Sequence, residues 1–199
     1  GGGGARRPEW LTADAREAGS MSWHLREATQ ADCAQIQELI ARSIRALGAG
    51  DYSTDQIEGA LEGAFGLDSQ LISDGTYFVV ESDGRLIGCG GWSYRRTLFG
   101  GDTRSGRDAG TLDPGTDAAK IRAFFVDPTA ARQGIGSAVL ERCEAEARRH
   151  GFRRAEMMAT LPGKRLYEAR GYVPGERVQY PVGPGVSIEF VPMWKSLTG

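Results

Sequence analysis

The residues best suited to bind a charged ligand form the run Arg132-Gln133-Gly134-Ile135-Gly136-Ser137. The run lies between a predicted strand and a predicted helix, where free backbone N–H groups converge and the helix dipole adds about half a positive charge. Its glycines let the backbone approach an anion closely, and Arg132 can add a charge-assisted hydrogen bond. The pattern therefore predicts a phosphate-binding loop, with an ordinary glycine-containing turn as the alternative.

Two common nucleotide-binding motifs do not fit this run. A P-loop needs Gly-Lys-Ser/Thr at its end, whereas Ser137 follows Gly136 directly. A dinucleotide fingerprint needs a third small residue where this chain has Val139, and it normally follows the first strand of its domain. Neither nucleotide-binding fold is therefore indicated.

The elements that position this loop follow from the periodicity of apolar residues and from turn and capping signals. In chain order we predict a strand at 24–28, a helix opened by Thr29 and Asp32, a helix capped by Ser53 or Thr54, a hairpin around Asp83-Gly84, a long loop at 96–117, a strand at 120–126, a helix at 136–150, a strand at 154–159, a short helix at 162–170 and a strand at 186–190. This order indicates a mixed sheet with helices on its faces, an α+β fold (α/β sandwich).

Two motifs resemble those of a known family. Phe125-Val126-Asp127-Pro128, followed by the run from Arg132 to Ala138, resembles the cofactor motif of the GNAT superfamily of N-acetyltransferases. Leu166-Tyr167-Glu168-Ala169-Arg170-Gly171-Tyr172 resembles the second signature of that superfamily. The resemblance implies a mostly antiparallel sheet of six to seven strands with about four helices. We expect one such domain at 21–199, after an extension or expression remnant at 1–20.

The resemblance also implies a place for acetyl-CoA. Its pantetheine arm would lie between two splayed strands and bond to the backbone near Phe125 and Val126, and its pyrophosphate would rest on residues 132–137. Thr160 stands where relatives often carry an asparagine that contacts coenzyme A. Lys164 is a candidate for a cofactor phosphate, with a solvated helix lysine as the alternative.

Tyr167 is the candidate catalytic residue, because a tyrosine at this place in the family commonly donates a proton to the departing thiolate. An unperturbed phenol has a pKa of about 10 and can act as such an acid. The alternative is a tyrosine that only packs on the helix beside Leu166.

The sequence gives weaker indications of the residues that bind the acceptor. Tyr52 and Trp92 are candidates because early helices and the third strand shape the acceptor pocket in this superfamily, and packing is their alternative role. Arg122 lies at mid-strand and is a candidate ligand for an acceptor carboxylate, with an internal ion pair as the alternative. No general base is assigned; the carboxylates considered are Glu81, Asp117 and Glu156.

Composition narrows the partners and the setting. Lys and Arg total 24 against 26 Asp and Glu, so a net charge of −2 gives no field to attract nucleic acid or an anionic membrane. The three cysteines are far apart, which indicates neither a disulfide framework nor a zinc site and fits a cytoplasmic protein. No apolar run reaches the roughly 18 residues of a membrane span.

These observations predict an N-acetyltransferase that moves the acetyl group of acetyl-CoA directly to an amine, without a metal or a covalent enzyme intermediate. Two alternatives stay open: an acyl-CoA-binding sensor or regulatory module, and a nucleic-acid-binding adaptor, which the charge disfavours. The acceptor is a small-molecule or peptide amine, and a polyamine, an amino acid, an aminoglycoside-like drug and a protein amino group all remain candidates. Oligomeric state is open, with a homodimer among the options.

Overall fold

The computed structural model describes residues 22–47, 49–102 and 110–199. The extension predicted at 1–20 and the middle of the loop predicted at 96–117 lie outside these residues. The strands are β1 (His24–Glu27), β2 (Tyr77–Ser82), β3 (Arg85–Ser93), β4 (Ala119–Val126), β5 (Arg154–Ala159), β6 (Val173–Pro174), β7 (Val178–Gly183) and β8 (Val186–Ser196). The helices are α1 (Cys33–Leu47), α2 (Thr54–Leu61), α3 (Ser69–Ser73), α4 (Ile135–Arg149) and α5 (Lys164–Ala169). Within the described ranges, no helix has the length and hydropathy needed to cross a membrane.

The strands form one sheet in the order β1-β2-β3-β4-β5-β8-β6, and β7 pairs with β8. Adjacent strands are antiparallel except for β4 and β5, which are parallel. The predicted α+β fold with a mixed, mostly antiparallel sheet is therefore confirmed. The described part of the chain holds eight strands and five helices, slightly more than the six to seven and about four that we predicted.

The additional elements are short or contain strand-breaking residues. β6 and β7 lie along the outer edge of β8, and each contains a proline, a residue that edge strands tolerate because it cannot donate to a ladder. Helix α3 has only five residues and begins where the Asp68 side chain accepts a hydrogen bond from the backbone N–H of Gln70 at 3.1 Å. The two strands and the helix are too short, or too interrupted by proline, to show a hydrophobic period in the sequence.

The local turn and capping signals are confirmed. Asp83 and Gly84 have φ angles of 50° and 74° and join β2 to β3 in a two-residue hairpin. Ser53 caps α2, since its Oγ accepts from the N–H of Gln56 at 3.1 Å and the Gln56 side chain accepts from the N–H of Ser53 at 2.8 Å.

Helices cover both faces of the sheet. Helix α4 buries Val139, Leu140 and Cys143 in one apolar cluster together with Phe78 and Val80 of β2. On the other face, the apolar stripe of α1 packs in a second cluster that includes Val79. Successive residues of β2 therefore point to opposite faces, and both faces are buried.

Strands β4 and β5 pair over a very short length. Their register contains only Ala119 with Ala155 and Lys120 with Glu156. On its other edge β5 pairs with β8 along its whole length, over six residue pairs, while β4 stays paired with β3. In the described residues, the edge of β4 from Ile121 onward has no strand partner on its β5 side, so the sheet opens into a gap.

A bulge in β4 lies beside this gap. Cys89 of β3 pairs with Phe125, but Gly91 pairs with Arg122, so Ala123 and Phe124 together oppose Gly90. Ala123 has a φ of 53°, and its carbonyl accepts a hydrogen bond from the Tyr77 hydroxyl at 2.9 Å. A Cβ at Gly90 would lie 2.7 Å from the ring of Phe124, so that ring occupies the space above the glycine. The bulge thus re-aims side chains where the strands separate.

Candidate active site

The loop before α4 directs several backbone N–H groups to one point. Arg132 and Gly134 have left-handed φ angles of 64° and 76°, and Gly134 caps the helix. The first helical hydrogen bond runs from the N–H of Ala138 to the carbonyl of Gly134 at 3.0 Å. The N–H groups of residues 135–137 therefore have no acceptor within the helix and surround its positive end. Such a loop can hold a phosphate group.

Asp127 anchors the start of this loop and is fully buried. Its Oδ2 accepts hydrogen bonds from Arg42 at 2.8 Å and Arg85 at 3.3 Å, and its Oδ1 accepts from the N–H and hydroxyl of Thr129 at 2.8 and 2.6 Å. Burial disfavours the charge, but these bonds outweigh burial and hold the pKa of the carboxyl below its ordinary 3.8. The carboxylate therefore ties the loop to α1 and β3.

A cavity of about 460 Å³ opens at the gap between β4 and β5. Its walls come from β4, the loop and first turn of α4, α5 with the segment that precedes it, and one turn of α1. A volume of several hundred cubic ångströms is typical of sites for ligands of coenzyme size. The anion-binding end of α4 thus opens into a pocket that can hold a larger molecule.

Two glycines shape the pocket for different reasons. Gly134 has open space around the position of a Cβ, so its left-handed φ alone favours glycine there. At Gly136 a Cβ would lie 2.8 Å from Cδ2 of Leu166, so the absence of a side chain lets α4 and α5 approach closely. The loop and α5 are therefore positioned against each other.

The charge and polarity of the cavity suit an anionic ligand. Arg132 and Arg165 both line it, and neither forms an ion pair with any residue in the described ranges. Ser43 of α1 also lines it, with 3% of the residue exposed and no hydrogen bond to a described residue. Two available cations and a buried hydroxyl therefore face the space next to the helix N-terminus.

Tyr167 closes the inner end of the cavity. The residue is 7% exposed, and its ring makes edge contacts with Phe124 and Tyr172 at centroid distances of 6.1 Å each. Burial raises the pKa of its hydroxyl above the ordinary 10. The group is therefore protonated at neutral pH and can donate a proton.

A second, smaller cavity of about 50 Å³ adjoins the first. The two share Phe124, Phe125, Thr160 and Tyr167 as lining residues, so they meet at the gap between the strands. The arrangement can hold a phosphate-bearing carrier in the larger cavity and a second reactant in the smaller one, with a phenol at their junction.

Comparison with protein families identifies this arrangement. The model described as the Acetyltransferase (GNAT) family matches residues 42–172, which include α4, both separated strands and Tyr167. The chain belongs to the GNAT acetyltransferase family. The resemblance drawn from the two sequence motifs is thereby confirmed. A comparison with curated protein sequences gave no significant match.

Solved GNAT structures share the fold. The chain is similar to a GCN5-related N-acetyltransferase from Rhodopseudomonas palustris, with a TM-score of 0.65 and 20% identity over 90% of this chain and 99% of that one. It is also similar to the PaiA N-acetyltransferase from Thermoplasma acidophilum in complex with coenzyme A, with a TM-score of 0.59 and 15% identity over 88% and 99%. A third similar structure is the ribosomal-protein-S18-alanine N-acetyltransferase from Escherichia coli. Its TM-score is 0.56, and the identity is 14% over 89% of this chain and 95% of that one. Identities this low establish the fold alone.

Most of the cofactor-binding residues predicted for this GNAT domain meet at the larger cavity. Those that line it are Phe125, Val126, Arg132, Gly134, Ile135, Gly136, Ser137 and Thr160. Gln133 and Lys164 do not, and Lys164 forms an ion pair with Glu168 one helical turn further on. Its neighbour Arg165 supplies the cation on that wall. The roles of these residues in binding stay predictions.

Several lining residues of the GNAT cavity were not predicted as site residues, among them Ser43, Ile44, Phe124 and Arg165. Ser43 had a usable signal, because it is a polar residue on the apolar stripe of α1 between Ile40 and Ile44. No sequence pattern indicated Phe124, since the orientation of its ring depends on the bulge in β4. Arg165 and Lys164 are adjacent cations, and only the packing of α5 decides which one reaches the cavity.

Arg122 is held in an internal ion pair, which is the alternative that the sequence left open. It is 2% exposed, and one guanidinium nitrogen lies 2.9 Å from Oδ2 of Asp68. The same guanidinium donates to the carbonyls of Thr97 at 3.2 Å and Gly100 at 2.8 Å. Arg122 therefore connects β4 to the segment that covers the smaller cavity, and a contact with an acceptor carboxylate stays a prediction.

The two other acceptor candidates lie in packed positions. Trp92 is fully buried, its Nε1 donates to Glu146 at 3.3 Å, and it lines neither cavity. The Tyr52 hydroxyl accepts from the N–H of Leu161 at 2.7 Å and donates to the carbonyl of Glu189 at 3.2 Å. Burial raises the pKa of Tyr52 to about 12. Both positions agree with the packing role, and a direct acceptor contact is not required to explain either residue.

The carboxylates considered as general bases are engaged elsewhere. Glu81 pairs with Arg26 at 3.1 Å, Asp117 accepts from the N–H of Asp113 at 2.8 Å, and Glu156 pairs with Lys120. None of the three lines either cavity. Among the residues that the structure describes, no group of three His, Cys, Asp or Glu side chains is placed to hold a metal ion.

Proposed function

We propose that this GNAT domain transfers the acetyl group of acetyl-CoA directly to the amine of an acceptor within a ternary complex. The observation that carries the proposal is that the cavity at the N-terminus of α4 and the smaller cavity beside the gap between β4 and β5 share Tyr167 in their linings. The end at α4 suits a diphosphate, and Tyr167 supplies a protonated phenol.

The chemistry of the lining fits coenzyme A. The N–H groups of residues 135–137 and the helix dipole would hold the diphosphate, assisted by Arg132 and Arg165. The hydroxyl of Ser43 is available for a polar group of the pantetheine arm. Such a contact would give the Ser43 hydroxyl a hydrogen-bond partner that it lacks among the described residues.

Strand β4 would position the arm and the thioester. Its edge beyond Ile121 has no strand partner on the β5 side among the described residues, so its backbone groups are available to an extended ligand. Phe125 and Val126 supply the edge, and Thr160 lies across the gap. An amide-containing arm can thus take the place of a missing strand.

Acetyl-CoA supplies an activated acetyl group and a thiolate leaving group. A neutral amine attacks the carbonyl carbon, a C–N bond forms and the C–S bond breaks. Tyr167 donates its hydroxyl proton to the departing sulfur, and the proton lost from the amine nitrogen passes to solvent and restores the phenol. Because the pKa of Tyr167 is raised, the donor stays protonated throughout the neutral range.

A coupled thiol-release assay tests the proposal. Acetyl-, succinyl- and longer acyl-CoA donors are screened against an amine library, and calorimetry measures binding of each donor separately. We expect acetyl-CoA to bind and to release free thiol only when an acceptor amine is present. Binding without thiol release on the whole library would instead indicate an acyl-CoA sensor.

The cytoplasmic location, a small-molecule or peptide acceptor and a homodimer also remain predictions. Light scattering measures the oligomeric state. A binding assay at several salt concentrations tests the alternative of a nucleic-acid-binding adaptor.

A further inference from the structure

The smaller cavity continues the larger one along β4. Val126 lines the larger cavity, Phe124 and Phe125 line both, and residues 121–123 line the smaller one. A carrier arm that enters at the first turn of α4 and follows β4 from Val126 towards Ile121 therefore ends in the smaller cavity. Under the proposed function, the end of that arm is the thioester with its acyl group.

The size and chemistry of the smaller cavity fit an acetyl group at the moment of attack. Its volume is about 50 Å³, and one water-sized group needs about 10–15 Å³, so about three to five groups fit. The methyl group, the carbonyl carbon, the carbonyl oxygen and the attacking nitrogen together make about four. The lining is mixed, with Phe65 and Met158 beside the hydroxyl-bearing residues Thr160 and Tyr167. It therefore suits a group that is part methyl and part carbonyl.

Phe65 forms part of the wall between the smaller cavity and a third one. The third cavity has a volume of about 270 Å³ and lies against α1, with Ile40, Leu61 and Leu67 in its lining. Among the described residues, Phe65 and Gly66 line both the third cavity and the smaller one. Phe65 therefore separates a space that an acetyl group fills from a space that is several times larger.

Contacts on two sides hold Phe65 in this wall. The residue is 4% exposed, and its ring makes edge contacts with the rings of Phe125 and Phe190 at centroid distances of 6.1 and 5.9 Å. Its backbone segment is tied to the loop that follows β3, because the N–H of Gly101 donates to the carbonyl of Gly63 at 3.2 Å. The ring of Phe65 is therefore a fixed end of the smaller cavity.

We propose that Phe65 limits the donor to short acyl groups. The acetyl group of acetyl-CoA occupies the smaller cavity together with the attacking nitrogen, and the ring of Phe65 closes off the space that a chain of about four carbons or more needs. This inference rests on the proposed acetyl transfer, because it assigns the smaller cavity to the acyl group of that donor. It makes Phe65 a determinant of donor specificity.

Calorimetry with donors of increasing length tests the inference without an acceptor. Coenzyme A, acetyl-CoA, butyryl-CoA and hexanoyl-CoA are titrated into the wild-type protein. We expect acetyl-CoA to bind about tenfold more tightly than hexanoyl-CoA, with butyryl-CoA between them, because a chain that exceeds the smaller cavity moves the thioester away from β4. Equal or tighter binding of hexanoyl-CoA overturns the inference.

Phe65→Ala removes the ring from the wall between the smaller and the third cavity. We expect hexanoyl-CoA to bind this variant about tenfold more tightly than the wild type, since its chain then reaches the third cavity. The dissociation constant for coenzyme A, which has no acyl group, should stay within about twofold. Phe65→Leu keeps more of the buried side chain and should give a smaller gain, so it decides the question if Phe65→Ala does not fold. An unchanged affinity for hexanoyl-CoA in the folded variant overturns the inference.

Leu71→Ala is the matched control for loss of packing. Leu71 is fully buried in the same apolar cluster as Phe65, and it lines none of the three cavities. This variant should keep the wild-type preference for acetyl-CoA over hexanoyl-CoA. An equal gain for hexanoyl-CoA in Leu71→Ala would show that a loosened core explains the effect, and it would overturn the role of Phe65.

The titrations with coenzyme A and acetyl-CoA separate the two ways in which these tests can fail. If the wild-type protein binds neither, the proposed function is overturned and this inference with it. Normal binding of both, with no discrimination against hexanoyl-CoA, overturns the role of Phe65 alone.

Discussion

In the proposed mechanism, the hydroxyl of Tyr167 is the proton donor. Tyr167 lines both cavities, and burial raises the pKa of its hydroxyl above the ordinary 10. Tyr167→Phe is expected to lower kcat by about 10²- to 10⁴-fold, since the thiolate then leaves without a proton donor. The dissociation constant for acetyl-CoA should stay within about twofold, because the ring and its packing are retained. Steady-state kinetics and calorimetry measure the two quantities.

Tyr172→Phe is the matched control for that substitution. Tyr172 packs against Tyr167, and its buried hydroxyl has no hydrogen-bond partner among the described residues. Removing such a hydroxyl is neutral or stabilising, so kcat should not change. Equal losses in the two variants would show that packing, not proton donation, explains the effect at Tyr167.

Gly134 offers a test of the loop without removing any side-chain contact. Gly134→Ala places a methyl group in open space but forces alanine into a left-handed conformation, at a cost of about 1 kcal/mol. We expect the loop to shift and the dissociation constant for acetyl-CoA to rise about fivefold to tenfold. Gly50→Ala is the control, because Gly50 has open space and no positive φ. Equal affinities for wild type and Gly134→Ala would argue against this loop as the diphosphate site.

A site residue could be predicted from the sequence where local features determine its position, and not where tertiary packing determines it. Glycine positions and a helix start are local features, so the loop at 132–137 was predictable. The choice between Lys164 and Arg165 was not, because it depends on how α5 rotates against α4. Phe124 faces the cavity through a bulge that no local pattern indicates. The internal pairing of Arg122 needed a partner 54 positions away in the chain.

At the scale of elements, Asp127 connects β4, α1 and the loop before α4. Asp127→Asn removes a buried negative charge that Arg42 and Arg85 neutralise. We expect the free energy of unfolding to fall by about 2 kcal/mol at pH 7, less than for a fully buried pair because both arginines are partly exposed. Urea unfolding of wild type and variant measures the difference.

The effect of Asp127→Asn on the free energy of unfolding should depend on pH in one direction only. The pKa of Asp127 in the folded protein is lower than the ordinary 3.8, so its contribution is present above about pH 4. It is lost as the pH falls through the lowered folded pKa. The difference in unfolding free energy between wild type and Asp127→Asn should therefore be constant from pH 7 to 5 and become smaller below pH 4. A difference that already becomes smaller between pH 7 and 5 would contradict this assignment.

Among the elements, those with strong local signals were predicted and those held by tertiary pairing were not. The Asp83-Gly84 hairpin and the helix capped by Ser53 follow from side-chain and turn chemistry within four residues. β6 and β7 exist because β8 offers an edge, and their prolines conceal them in the sequence. The separation of β4 and β5 was expected only through the family resemblance, because strand periodicity does not specify where pairing ends.

At the scale of the whole molecule, a ligand in the gap would link the two parts of the sheet, which otherwise pair through two residues on each side. A ligand at about 100 times its dissociation constant adds about 2.7 kcal/mol of stability. Acetyl-CoA at that excess should therefore raise the melting temperature by about 5–10 °C. ATP is the control, since it offers phosphates without a pantetheine arm, and an equal shift with ATP would contradict the proposed use of the gap. Differential scanning calorimetry gives both values.

The central claim is that coenzyme A lies with its diphosphate on the first turn of α4 and its arm along β4. Residue-resolved amide hydrogen exchange tests it directly, with acetyl-CoA compared against S-acetylpantetheine, which lacks the diphosphate. We predict that acetyl-CoA slows exchange both at residues 134–137 and along 124–126, whereas S-acetylpantetheine slows it only along 124–126. Unchanged exchange at residues 134–137 under saturating acetyl-CoA would contradict the account.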